Sequence, residues 1–139
     1  MIQITDLNHV SLIVADVEAS KRFYCDVLGM EETPRPATFH FAGAWVRRGG
    51  AELHLIQRSD AAQAAGDPPR RPRPDADVSR ARHIGFAVAD IEAALATLKA
   101  HGVEVVLGPR PRGDGVIQVY CCDPDGHLIE LHSPPPPPA

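Results

Sequence analysis

Four side chains in this sequence are of the types that hold a divalent cation, and they recur in step. His9 and His83 stand 74 residues apart (83 − 9), and His54 and Glu130 stand 76 apart (130 − 54). Imidazole nitrogen and carboxylate oxygen are the donors that borderline divalent ions take. Three imidazoles and one carboxylate brought to one point would hold a single ion and leave positions for substrate oxygens. Any one of these histidines, taken alone, is better read as a polar residue on the wet face of a sheet. Their repetition is what makes them a set.

The elements that must position them repeat as well. Val14-Ala15-Asp16-Val17-Glu18-Ala19 returns as Val88-Ala89-Asp90-Ile91-Glu92-Ala93, again 74 residues on (88 − 14). Each half begins with a β-rich run, residues 8–14 and 82–89. An aspartate able to cap a helix follows, because its carboxylate accepts from the free N–H groups of the first turn. The helices are predicted from Asp16 to Leu28 and from Asp90 to His101, stopped by Gly29 and Gly102. Three short strands complete each half. In the first they are expected near Glu31–Thr33 or Thr38–Phe41, then at Ala44–Arg48 and Ala51–Gln57, with Gly49-Gly50 as the hairpin turn. In the second they are expected at Val103–Leu107, Gly115–Cys122 and His127–His132, with Asp123-Pro124-Asp125-Gly126 turning into the last. The fold class is α+β: two tandem βαβββ modules, about 5–57 and 82–133, joined by a Pro- and Arg-rich linker, about 58–81, and followed by a Pro-rich tail, 134–139.

Side chains alternate across a strand. Val10, Leu12 and Val14 oppose His9, Ser11 and Ile13. Leu53 and Leu55 oppose Glu52, His54 and Ile56. Ile84, Phe86 and Val88 oppose His83, Gly85 and Ala87, and Ile129 and Leu131 oppose Leu128, Glu130 and His132. Every strand that carries a candidate ligand thus has one apolar face to pack under a helix and one face free for chemistry. Trp45 and Arg47 share a face, Tyr120 shares one with Gln118, and Arg110, Arg112 and Gly113 are expected in the loop before the seventh strand. These are weaker candidates for substrate contact. His40 and His127 have no partner in the repeat, and His101 sits where a cation favours a helix end.

The chain has 139 residues, enough for one domain with a core. A net charge of −4 and no apolar run of membrane length argue against nucleic acid and membrane partners. The three cysteines, two of them adjacent at Cys121 and Cys122, fit a reducing compartment better than a disulfide framework. The start shows no basic region followed by an apolar stretch, so a cytoplasmic location is expected.

Five stretches together resemble the vicinal oxygen chelate superfamily, which holds glyoxalase I, extradiol dioxygenases, methylmalonyl-CoA epimerase, fosfomycin-resistance enzymes and bleomycin-binding proteins. They are Leu7-Asn8-His9-Val10, residues 23–30, Leu53-His54-Leu55, residues 82–86 and residues 123–131. The resemblance implies paired βαβββ modules forming a cupped, partly closed sheet with helices outside. It implies a small-molecule substrate and a homodimer. It implies one divalent metal ion, Zn, Ni, Fe, Mn or Co, on His9, His54, His83 and Glu130. The second ligand position is often Glu in glyoxalase-like members; Glu52 is therefore a rival to His54, and His132 a rival or aid to Glu130. The implied activity is glyoxalase I-like lyase or isomerase chemistry, with Glu130 as the base. Two alternatives stay open. One is an Fe(II) ring-cleaving dioxygenase on His9, His83 and Glu130, with His54 beside them. The other is a metal-free antibiotic-binding protein, which needs more aromatic lining than a chain with 5% aromatic residues offers.

Overall fold

A computed structural model describes residues 1–61, 71–73 and 76–134. Part of the expected linker (62–70 and 74–75) and the tail from 135 onward lie outside the described residues. The chain divides into two compact units, Met1–Pro68 and Pro69–Ala139.

The first unit contains β1 (Val10–Val14), α1 (Val17–Lys21), β2 (Glu31–Thr33), β3 (Gly43–Arg48) and β4 (Ala51–Gln57). Its sheet runs β1-β4-β3-β2, with β1 parallel to β4 and the other pairs antiparallel. The second unit contains a short 3-10 turn (Val78–Arg80), β5 (Ile84–Ala87), α2 (Ile91–Ala100), β6 (Val105–Pro111), β7 (Ile117–Cys122) and β8 (Leu128–His132). Its sheet runs β5-β8-β7-β6 with the same pattern of directions. Two four-stranded mixed sheets, each with a helix, are the tandem βαβββ architecture expected from the repeat.

The duplicated caps act alike. Asp16 Oδ1 accepts from the N–H groups of Glu18 (2.9 Å) and Ala19 (3.1 Å), and Asp90 Oδ1 accepts from Glu92 (2.9 Å) and Ala93 (3.0 Å). Gly29 and Gly102 both take positive φ, 71° and 67°, where a side chain would strain the helix exit. In the first unit α1 lies against β3 and β4, over a core that includes Val14, Val46, Leu53 and Leu55. In the second, α2 lies against β8, and Leu98, Val119 and Ile129 are buried.

Several sequence expectations need correction. After Lys21 the first helix widens into a π-helical segment, Arg22–Val27, rather than staying α-helical to Leu28. The wider turn lets the adjacent Phe23 and Tyr24 both bury, their rings edge to face at 5.1 Å. Thr38–Phe41 is not a strand; β2 is Glu31–Thr33. His9 and His83 precede β1 and β5 rather than lying within them. Strand β6 extends to Pro111, so Arg110 belongs to a strand and not to a loop. Strand β8 is buried on both faces from Leu128 to Leu131. Among the described residues no helix is long and apolar enough to cross a membrane.

Candidate functional site

The candidate ligands fall into one pair in each unit, and equivalent positions meet in both. In the first unit Ser11 of β1 is in register with His54 of β4, and the ring of His9, just ahead of β1, stacks on the ring of His54. Their centroids are 3.9 Å apart and their planes 14° from parallel. On its other face His54 stacks on Trp45, its cross-strand partner on β3, at 4.0 Å and 4°. Hydrogen bonds fix the ring edges. His9 Nδ1 lies 2.8 Å from Asn8 Oδ1, and His54 Nε2 lies 2.8 Å from Glu52 Oε1. A carboxylate and an amide oxygen only accept, so those nitrogens carry protons. In the neutral rings the lone pairs are then on His9 Nε2 and His54 Nδ1.

The second unit replaces stacking with hydrogen bonds. Gly85 of β5 and Tyr120 of β7 are both in register with Glu130 of β8. Glu130 Oε2 lies 2.8 Å from His83 Nε2 and accepts from the Tyr120 hydroxyl at 3.2 Å. Glu130 Oε1 accepts from Gln118 Nε2 at 2.9 Å, and Gln118 also donates to the Tyr120 oxygen at 3.2 Å. Glu130 is 6% exposed and Tyr120 1%, so these bonds act with little competition from water. Burial is the largest single influence on Glu130 and opposes its charge. The bonds from Gln118 and Tyr120 and the nearby His83 together outweigh it, and hold the carboxyl below the ordinary carboxylate range. Burial, followed by the negative charge of Glu130, pushes the Tyr120 phenol the other way, above its usual value, so it keeps the proton it donates.

The surroundings of His83 bear on a metal. Its Nδ1 lies 2.7 Å from the carbonyl oxygen of Ala81, which can only accept. A neutral ring therefore aims the lone pair of Nε2 at an ionised carboxylate oxygen. That arrangement is relieved either by a second ring proton or by a cation that both atoms ligate. Two donors side by side on one tetrahedral ion, at bonds of about 2.1 Å, are roughly 3.4 Å apart, so the 2.8 Å spacing is that of a hydrogen bond, and the two atoms would part by about half an ångström to share an ion. A backbone carbonyl on the far nitrogen is the usual orienting contact of a metal-ligating histidine. The His9–His54 pair offers imidazole nitrogens, a donor type of divalent ions, but the rings are stacked 3.9 Å apart in nearly parallel planes and would have to turn to share one ion. Among the described residues no group of three or more His, Cys, Asp or Glu side chains stands ready to hold an ion.

The remaining candidates are placed as follows. Arg47 is in register with Glu52, its guanidinium 3.9 Å from that carboxylate, and is mostly exposed. Arg112 is tied to Asp114 by a two-pronged contact at 2.7 and 3.1 Å on the surface. Arg110 faces Asp77 at 3.7 Å. His132 Nδ1 turns to the carbonyl of Ser133 at 3.0 Å. Sequence reasoning left Gln118 without a role, although its position two residues before Tyr120 on one strand face was a usable signal.

The chain is similar to known proteins in sequence and in fold. Residues 6–131 match the family model described as Glyoxalase/Bleomycin resistance protein/Dioxygenase superfamily. The chain is 31% identical to "Glyoxylase I 4" of Arabidopsis thaliana, over 94% of this chain and 71% of that one. It is 33% identical to the Escherichia coli protein YaeR, over 95% and 98%. It is 30% identical to the metallothiol transferase FosB of Staphylococcus epidermidis, over 94% and 83%. Among solved structures, a glyoxalase family protein from Bacillus anthracis superposes with a TM-score of 0.75 at 27% identity, covering 96% of this chain and 98% of the other.

Proposed function

The chain belongs to the glyoxalase/bleomycin resistance protein/dioxygenase superfamily, and from that premise we propose that it is a divalent-metal-dependent, glyoxalase I-like lyase or isomerase acting on a small substrate with two neighbouring oxygens. In this reading His9, His54, His83 and Glu130 hold one ion. When bound, the ion supplies Lewis acidity that polarises the substrate oxygens. Glu130 is the base. Held ionised by Gln118 and Tyr120, it is in the proton-accepting form at neutral pH, and it moves a proton from the carbon beside the carbonyl to its neighbour. Trp45, Arg47, Tyr120 and Arg112 are the side chains assigned to substrate contact. The protein works in the cytoplasm as a homodimer, with modules at about 5–57 and 82–133 of a single domain.

The observation that carries the reading is the placement of His83, its Nδ1 on a backbone carbonyl and its Nε2 2.8 Å from the Glu130 carboxylate. Metal analysis of protein purified without added metal tests it. Near-stoichiometric metal is expected in the parent and a large loss in His83→Ala; equal content in both would refute the ligand assignment. Turnover of the adduct of methylglyoxal with a thiol then identifies the reaction class.

A second reading is favoured by the contact between His54 and Glu52, 2.8 Å apart. A carboxylate on one imidazole nitrogen is the arrangement of an acid–base histidine. His54 would then leave the ligand set, and His9, His83 and Glu130 would hold Fe(II) for ring-cleaving dioxygenation. Oxygen uptake with a catechol, absent with the thiol adduct, would establish that alternative.

A further inference from the structure

His83 is a candidate ligand that no strand holds. It stands just ahead of β5, and the pairing of β5 with β8 begins at Ile84. What fixes its ring is the carbonyl of Ala81, 2.7 Å from Nδ1. Ala81 closes the 3-10 turn Val78–Arg80, its N–H donating to the carbonyl of Val78 at 3.0 Å. The turn lies in the segment between the modules, where Val78 is the one large aliphatic residue of 58–81. That valine is only 2% exposed. It packs with Tyr120 and Cys122 of β7 and Leu128 of β8, and Val106 and Leu107 of β6 lie against them. Tyr120 pairs with Glu130 and Cys122 with Leu128, so alternation puts all four on one face of the sheet. The turn is therefore seated on the face that carries the Glu130 carboxylate. Asp77 ties its start. Asp77 Oδ1 accepts from the Ser79 N–H at 3.1 Å and the Ser79 hydroxyl at 2.6 Å, and lies 3.7 Å from the Arg110 guanidinium. An ion pair this exposed contributes little, so the buried valine is the anchor.

We propose that this turn is a clasp and that Val78 is a positioning residue for His83. With Val78 seated beside Tyr120, Ala81 presents its carbonyl to Nδ1, which turns Nε2 toward Glu130 and the ion the two would share. The part that concerns the ion rests on the metal-dependent reading; the hold on the ring does not. Two features make the link short and stiff. The hydrogen bond from Ala81 to Val78 closes the turn, so displacing the valine displaces the carbonyl. Only Arg82 separates Ala81 from His83, so no slack loop intervenes. A contact that orients a ligating imidazole is worth about 10–100-fold in metal affinity.

Two readouts on the full chain test the clasp. One is exchange with water of the His83 Nδ1 proton, followed by NMR in metal-free protein labelled with 15N-histidine and assigned by its absence in His83→Gln. The other is the affinity for Zn(II), measured by calorimetry. Val78→Asn puts an amide among apolar side chains and should unseat the turn. Exchange is expected to quicken at least about tenfold, and Zn(II) affinity to fall about 10–100-fold. Where Val78→Asn does not fold, Val78→Ala should move both readouts the same way, by at least about threefold. Val78→Ile keeps an aliphatic anchor and should stay within about twofold of the parent on both. Leu98→Ala truncates a buried side chain of α2 instead, and should leave both within about twofold although it destabilises the unit. Unchanged exchange in Val78→Asn, or a Leu98→Ala protein that behaves like it, would overturn the clasp. So would an unchanged affinity in Val78→Asn where His83→Gln lowers it. The ligand assignment fails separately. If His83→Gln binds Zn(II) as tightly as the parent, His83 is not a ligand, and exchange that still responds to Val78 supports the hold on the ring.

Discussion

Gln118→Leu is the most informative single change in the second unit, because its cost follows from the bonding around one carboxylate. Glu130 Oε1 accepts from Gln118 Nε2 at 2.9 Å, whereas Oε2 is shared by Tyr120 and His83. Leucine fills nearly the same space without a donor. A buried carboxylate that loses a hydrogen bond of this kind is destabilised by about 1.5–3 kcal/mol. Tyr120→Phe removes a longer bond, at 3.2 Å, from the oxygen that keeps His83, and should cost about 1 kcal/mol. The order of the two variants is therefore set by which oxygen keeps a partner.

The same bonds fix the pH dependence. The folded pKa of Glu130 is lowered. The stabilisation its charge provides is thus fully present above the unfolded value, about 4.3, and is lost as pH falls through the folded value. Gln118→Leu removes one of the groups that lower it, so its penalty should be full at pH 7 and shrink in acid. Urea unfolding of chelator-treated protein, followed by far-UV circular dichroism at several pH values, measures this. In a Glu130→Gln background the penalty should fall by at least about 1 kcal/mol, since no anion is left to strand. A Gln118→Leu variant as stable as the parent at pH 7, or a penalty that does not change with pH, would refute the account of Glu130.

Other expectations are narrower. In Gly43→Ala the new Cβ would stand 2.5 Å from the backbone oxygen of Leu55, where neither strand can yield cheaply, and the variant should lose about 2–3 kcal/mol in the same urea assay. Asp16→Ala and Asp90→Ala each remove a cap that accepts two backbone N–H groups, and should each cost about 1 kcal/mol. Burial pushes the Cys121 thiol up to about 12, so thiol reagents at pH 8 should label it only after unfolding, as mass spectrometry of the labelled peptides would show.

The fold was legible because the duplication acts at every level. The repeated Asp-Val/Ile-Glu-Ala motif becomes two caps with the same pair of accepted bonds. Alternation on β1 and β4 buries Leu12, Val14, Leu53 and Leu55. Where local rules were misleading, packing decided. The first helix leaves α geometry in the segment that buries the adjacent Phe23 and Tyr24, and extending β6 along β7 took Arg110 from a loop into a strand. The polar networks were less legible because they depend on cross-strand register, which no single strand's sequence contains. Gln118 acquires its role only because Tyr120 stands opposite Glu130.

Register also shows how two copies of one module come to offer different chemistry. Trp45 is in register with His54, and Tyr120 with Glu130, so the aromatic positions correspond as the candidate ligand positions do. In the first unit both members are flat rings, and they stack at 4.0 Å. The imidazole is then fixed by contact on its faces and keeps an edge for bonding. In the second unit the corresponding residue is a carboxylate, which has no comparable face, so the phenol binds it through a hydrogen bond and Gln118 takes the other oxygen. Position 118 has Gly43 as its counterpart in the first sheet, set by the register of Gly43 with Ile56 and of Gln118 with His132. A stacked imidazole needs no side-chain donor there; a buried carboxylate does. Exchanging His54 for Glu alone should therefore leave a carboxylate without its amide donor. A His54→Glu protein should be less stable than the parent at neutral pH, by about 1–3 kcal/mol in the urea assay. A variant as stable as the parent would show that the amide at position 118 is not what lets the second unit hold a buried charge.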